Sequence, residues 1–187
     1  LVNPIFPSPC GARTATILRT SDVLLGALVK ALPKRLPACS AGVLETIYFG
    51  GTDPLNGLDY VTSELEMGGQ GARLGKDGID VICTNVVNLL NVPTEAIEMD
   101  FPLRVLRTHL RNGSGGAGEY RGGLGEKKAF MLLRGSCSMT FRGERWYVPP
   151  WGLFGGLPGS TGKSYVRRKS GEEFELSLIH ISEPTRP

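Results

Sequence analysis

The sequence predicts an α+β fold: one clear helix near the N-terminus, then a β-rich region with glycine-dense loops, arranged as a sandwich or a barrel. Three observations carry that reading. Ser21 followed by Asp22-Val-Leu-Leu-Gly-Ala-Leu-Val-Lys-Ala-Leu32 combines a capping residue, an acid in the first turn and apolar side chains at helical spacing. Beyond Glu126, short runs of strand-forming residues recur about every ten residues between Gly and Pro turns, the rhythm of a sandwich or barrel. Finally, 22 of the 26 glycines fall between Gly50 and Gly162, many of them in two clusters, Gly68–Gly78 and Ser114–Gly125. Glycine costs more backbone entropy to order than any other residue, so clusters this dense make sense where the chain needs positive φ or a close approach to another group. A flexible linker would lack the Arg73, Lys76, Asp77 and Arg121 interleaved here, so both loops read as an ordered site or a tight interface.

Taken in order, three prolines precede Cys10, and Arg13 to Thr20 alternates enough to read as an extended entry segment. The helix follows over residues 21–32 and stops at Pro33, with Lys30 and Lys34 near the negative end of its dipole. Val43 to Phe49, rich in β-branched and aromatic residues, reads as a strand, Gly50 to Gly57 as a turn, and Leu58 to Met67 as a second strand running into the first glycine cluster. Gly78 to Cys83 reads as a short strand. Thr84 to Asn91 fits either a turn or one helical turn, and Thr94 to Met99 is similarly short. Leu103 to Arg111 reads as a strand leading into the second glycine cluster, and Lys128–Leu133, Ser136–Phe141 and Tyr165–Arg168 complete the strands.

Composition narrows the function classes. At 187 residues and 41% hydrophobic, the chain suits one domain, or one domain plus a fragment, with a buried core. A net charge of +3, with no basic block beyond Arg167-Arg168-Lys169, argues against nucleic acid as a partner. No apolar run approaches the roughly 18 residues that span a bilayer and no secretory leader is visible, so no membrane partner is expected and the protein reads as soluble and cytoplasmic. Cys10, Cys39, Cys83 and Cys137 are far apart with no CxxC pair, and read as buried free thiols. The opening at Leu1 reads as the interior of a longer protein. Residues 176–187 resemble the translation of a sequencing adapter, and setting them aside leaves Leu1–Glu175 as the native part with His109 as its single histidine.

Several motifs fail on inspection. Gly156-Leu-Pro-Gly-Ser-Thr-Gly-Lys-Ser164 approximates a phosphate-binding loop but has Leu157 where the first glycine belongs, and a strand, not a helix, follows. Gly113 to Gly118 matches GxGxxG, yet the next residues cannot start a good helix. His109, mid-strand, reads as a partly buried histidine donating to a carbonyl, in preference to a catalytic base. Asp77 and Asp80 are carboxylates open to a hard cation or to capping their own turns, with the second preferred.

Gly68-Gly-Gln-Gly-Ala-Arg-Leu-Gly-Lys-Asp-Gly-Ile-Asp80, Thr84-Asn85, Asn91 to Glu98, Pro102 to Val105, Ser114 to Gly125, Gly143-Glu-Arg145 and Gly152 to Gly156 together resemble the hydantoinase B / 5-oxoprolinase family in order and spacing. The resemblance implies the C-terminal part of a B-type subunit of an ATP-dependent cyclic amide hydrolase, acting on hydantoin or 5-oxoproline. The alternatives are the related α subunit of an ATP-dependent ketone carboxylase, or a non-catalytic assembly region of such a complex. It implies ATP with Mg2+ bound by a hydantoinase A-type partner subunit or fused domain, which phosphorylates the substrate oxygen before water attacks. It also implies that any divalent metal is held by a part of the subunit preceding Leu1, so that the catalytic residues of this stretch are unknown and none of its residues is assigned to a metal. Within it, Arg73 and Arg145 are candidates for orienting a carboxylate, phosphate or imide oxygen, Asp77 for anchoring the Gly75–Gly78 turn or reaching the site, and Glu95 and Glu98 for pairing with those arginines. The competing reading is that these charges tie loops together.

Overall fold

A computed structural model describes residues 5–7, 13–42 and 44–176. Its elements are α1 (Arg13–Leu28), β1 (Leu44–Thr52), β2 (Asp59–Met67), α2 (Thr94–Asp100), β3 (Leu103–Leu110), β4 (Glu126–Leu132), β5 (Cys137–Arg142), β6 (Tyr165–Arg167) and β7 (Glu173–Glu175). The fold is α+β. Strands β2, β1 and β5 form an antiparallel sheet in that order, β3 pairs with β4, and β6 pairs with β7. Among the described residues the β-rich part is therefore three small sheets and not a closed barrel.

The β1–β2 hairpin shows why the turn chemistry was informative. Asp53 accepts from Leu55 N at 3.0 Å, its own amide donates to Leu58 O at 2.9 Å, and Gly57 takes a φ of 71° that a side chain would resist. Pairing then runs in unbroken register from Thr52↔Asp59 to Leu44↔Met67. Period-two alternation puts Ile47 and Phe49 on the face that meets β3, β4 and α2, where Phe49, Ile97 and Leu103 are buried with Val105, Phe130 and Leu132 against them. The Phe49 and Phe130 rings lie 5.4 Å apart in a tilted pair. Burying a leucine as fully as Leu103 contributes roughly 2 kcal/mol.

The helix differs from expectation at both ends. It begins at Arg13, so residues 13–20 are helical and not extended, and it ends at Leu28 in turns that lead to Pro33. Ser21 is no cap: its hydroxyl donates back to Ile17 O at 3.0 Å, as Thr20 does to Thr16 O at 2.8 Å. Asp22, read as a first-turn acid, is buried, whereas the apolar stripe of Val23, Leu24 and Leu28 faces outward. Leu18 and Val29 supply the buried apolar contacts instead.

Two further differences matter downstream. Gly78–Cys83 is irregular, not a strand, because it crosses between the glycine clusters and Val81 sits at a φ of 43°. His109 is exposed on β3, opposite Lys127, and not partly buried. Leu176 is buried and donates to Ser164 O at 2.9 Å, while the rest of the 176–187 segment and Cys10 lie outside the described residues. Among the described residues no helix is long and apolar enough to cross a membrane.

Candidate functional site

The two glycine clusters are joined backbone to backbone. Gly78 N donates to Arg121 O and Gly123 N to Gln70 O, both at 2.8 Å, and Gln70 N reaches Ile79 O at 2.9 Å. A Cβ on Gly78 would overlap the Gln70 carbonyl and the Gly123 amide, and one on Gly123 would overlap the Ile79 carbonyl. Close approach is thus the reason for glycine at these positions. The carboxylates of this region serve the same junction: Asp77 Oδ1 accepts from Arg121 N at 2.7 Å, and Asp80 Oδ1 accepts from Leu124 N at 2.7 Å and lies 3.2 Å from the Arg121 guanidinium. Asp77 therefore anchors the opposite loop and not its own turn.

Arg73 sits at the tip of this unit. Its backbone pairs with that of Lys76 around Gly75, which has a φ of 80°, and its side chain is exposed with no partner among the described residues. Arg145 lies elsewhere. Residues 38–42 form the bridge between the two places: Ala38 N donates to Ala72 O, Ala41 N to Gly69 O and Gly71 N to Ser40 Oγ on one side. On the other, Arg145 donates to Ala41 O at 3.1 Å and to Cys39 Sγ at 3.0 Å.

Arg145 is itself the centre of a buried ion network. Its Nη2 is 2.9 Å from Asp22 Oδ2, and its guanidinium lies 5.5 Å from the Trp151 ring centre. Arg19 contacts the same Asp22 oxygen at 3.0 Å and Glu144 at 3.1 Å, in close ion pairs with poor hydrogen-bond alignment, and its Nη2 donates to Ala41 O at 2.9 Å. Two guanidiniums are thus held against two carboxylates. Burial, more than the neighbouring Arg145, lowers the Arg19 pKa, burial raises that of Glu144, and burial pushes the Cys39 thiol to about 11, leaving it a neutral contact. Arg145 holds this position at a φ of 59°, an uncommon backbone for a non-glycine residue. Its Nε and Nη2 are already engaged by protein acceptors, so it fits the tying role better than substrate contact. Glu98 likewise pairs with no arginine among the described residues and accepts from Val105 N at 2.9 Å, and Glu95 is exposed at the start of α2.

Sequence reasoning missed a third feature. Glu64 and Glu66 lie on the inward face of β2, where the pattern calls for apolar residues, and Glu45, Glu126 and Lys128 join them from β1 and β4. Lys128 Nζ is 3.5 Å from Glu64 and 3.7 Å from Glu126, with all three side chains buried. The visible signal was an acid at every second position in Ser63-Glu-Leu-Glu-Met67, immediately before the glycine cluster. Burial and then the charge of Glu126 push Glu66 to about 8, and burial pushes Glu45 to about 7. A lysine inside the cluster and protons retained at neutral pH are the wrong donor chemistry for a divalent cation, and among the described residues no group of three or more His, Cys, Asp or Glu is placed to hold one.

The model of the hydantoinase B/oxoprolinase family matches residues 1–183. The chain belongs to that family. It is 35% identical over its full length to a protein of Pseudomonas sp. (strain NS671) named as the B-type subunit of a D-/L-hydantoinase, covering 30% of that protein. It is 32% identical to the beta subunit of the caprolactamase of Pseudomonas jessenii, over 92% of this chain and 31% of the relative. Among solved structures it resembles nucleotide-free acetone carboxylase, from work on ATP-dependent acetone carboxylation, with a TM-score of 0.60 and 25% identity over 73% of this chain and 18% of that one. The chain thus spans under a third of the length of these relatives.

Proposed function

We propose that this chain is part of the B-type subunit of an ATP-dependent enzyme that opens cyclic amides, working in the cytoplasm with an A-type subunit that binds ATP and Mg2+. The observation that carries the reading is the family match over residues 1–183, supported by relatives named as subunits of a hydantoinase and a caprolactamase. The chemistry is coherent: an amide carbonyl is a poor electrophile, and phosphorylating its oxygen activates the carbon for attack by water. The adduct expels the ring nitrogen as an amine to leave an acyl phosphate, and a second water releases phosphate and the open-chain acid. In this proposal any metal belongs to another part of the subunit.

Within the stretch described here the roles divide by availability. Asp77, Asp80, Arg121 and Arg145 position backbone, whereas Arg73 projects a free guanidinium from the joined glycine loops and is the residue we assign to an anionic group of substrate or partner.

The test is a substrate panel. The full-length subunit, co-expressed with its A-type partner, is supplied with ATP and hydantoin, 5-oxoproline, caprolactam or acetone. A ring-opened acid from a cyclic amide supports the reading. A second reading, ketone carboxylation, is favoured by the likeness to acetone carboxylase and predicts a product from acetone only when bicarbonate is present. No turnover of any of the three cyclic amides by an intact complex would overturn the first.

A further inference from the structure

The inter-sheet layer is apolar at one end and acidic at the other, and the acidic end is where both glycine clusters attach, after Met67 and before Glu126. Glu45 on β1 stands directly across from Glu66 on β2, and Glu64 stands across from Ile47 one pair along the same face. Glu126 and Lys128 enter from β4. In the orientation that satisfies its neighbours, the Asn91 amide oxygen accepts from Lys128 Nζ at 2.6 Å while its nitrogen donates to Leu65 O at 3.3 Å. The Lys128 ammonium also donates to Leu65 O at 3.3 Å, and Glu126 Oε2 accepts from Met67 N at 3.4 Å. Glu45 additionally feels the charges of Glu144 and Arg111. Lys128 thus stands against Glu64, Glu66 and Glu126, while Glu45, the fourth carboxyl of the cluster, faces Glu144 and the single guanidinium of Arg111. Glu66 Oε1 is buried and has no hydrogen-bond partner among the described residues.

One lysine cannot balance four ionised carboxylates in so little water, and like charges directly opposed across a strand pair repel. We propose that Glu45 and Glu66 act as a proton-operated latch: protonated, they let β1, β2 and β4 close over this end and hold the glycine loops together, and ionised, they loosen it. The values of about 7 for Glu45 and about 8 for Glu66 place the change at neutral to mildly alkaline pH. The sign follows from linkage. Both pKa values are raised above the ordinary 4.5, so the folded chain holds protons that the unfolded chain releases. The stabilisation is complete below about 4.5, falls as pH rises, and is gone above about 8.

The test combines carboxyl-carbon NMR titration of the full-length subunit, labelled at its glutamate carboxyls and assigned by difference with Glu66→Gln and Glu45→Gln, with urea unfolding across pH. The latch predicts one glutamate resonance titrating near 8 and another near 7, and a folding equilibrium constant that falls between pH 5 and 7 by up to about tenfold per pH unit for each carboxyl. Glu66→Gln should flatten that slope and fold more stably than the parent above pH 8. All glutamates titrating below 5.5 in the parent, which needs no variant to fold, would overturn the proposal. So would a Glu66→Gln profile parallel to the parent's.

Discussion

Arg145 Nη2 and Asp22 Oδ2 lie 2.9 Å apart although 123 positions separate them in the chain. That contact ties the first helix to the loop after β5, and Arg19 reaching the same Asp22 oxygen makes the tie two-sided. Asn85 Nδ2 donates to the other Asp22 oxygen at 3.3 Å, so three separate segments converge on one buried carboxylate.

Removing one partner of such a network leaves the other charged and dry. Arg145→Ala should therefore destabilise the chain by about 3–5 kcal/mol, and Asp22→Ala by a similar amount, because two guanidiniums then lose their shared counter-ion. The double variant should cost less than the sum of the two. Urea denaturation of the four proteins measures that coupling.

The glycines of the first cluster should respond to alanine in two distinct ways. Gly78→Ala must push apart the two joined backbones and should cost about 3 kcal/mol or more. Gly75→Ala meets open space, and the expected cost is the positive-φ penalty alone, about 1–2 kcal/mol. Equal losses in thermal or chemical unfolding would contradict the close-approach explanation.

Lys128→Met should destabilise strongly at pH 8, by about 3–5 kcal/mol, because Glu64 and Glu126 lose the cation that both contact. Near pH 5 Glu66 and Glu45 hold protons, the cluster carries less negative charge than at pH 8, and the penalty shrinks. Unfolding curves at the two pH values measure the difference.

Arg73→Ala touches no contact within the described residues, so its stability should stay within about 0.5 kcal/mol of the parent. In the assembled enzyme the proposal expects turnover to fall at least tenfold, about 1.4 kcal/mol of lost interaction, while the partner subunit still co-purifies. Loss of co-purification at unchanged specific activity would assign Arg73 to assembly instead.

What could be read from sequence follows from the range of the forces involved. The strands β1 to β5 were legible because alternation, β-branched residues and turn chemistry act within a few positions, as in the Asp53–Gly57 turn. The glycine clusters were legible as ordered loops, but their mutual contact was not, since Gly78 and Arg121 are brought together only by the tertiary fold. The ends of α1 were misplaced because Ser21 bonds backward into the helix and because the charge of Asp22 is offset by Arg19 and a distant Arg145. Of the candidates for substrate contact, Arg145 and Asp77 are committed to protein partners, whereas the Arg73 side chain has none among the described residues. The acidic cluster went unread because charged residues on a strand are ordinarily assigned to its solvent face, and Lys128 that justifies their burial lies 62 positions after Glu66.

The proposal that this chain belongs to an ATP-coupled cyclic amide hydrolase stands most directly on one measurement, ring opening by the full-length subunit with its A-type partner, in the presence and absence of ATP. The account predicts ring-opened product and ADP appearing together, and no product when ATP is withheld. Ring opening at the same rate without ATP would contradict it.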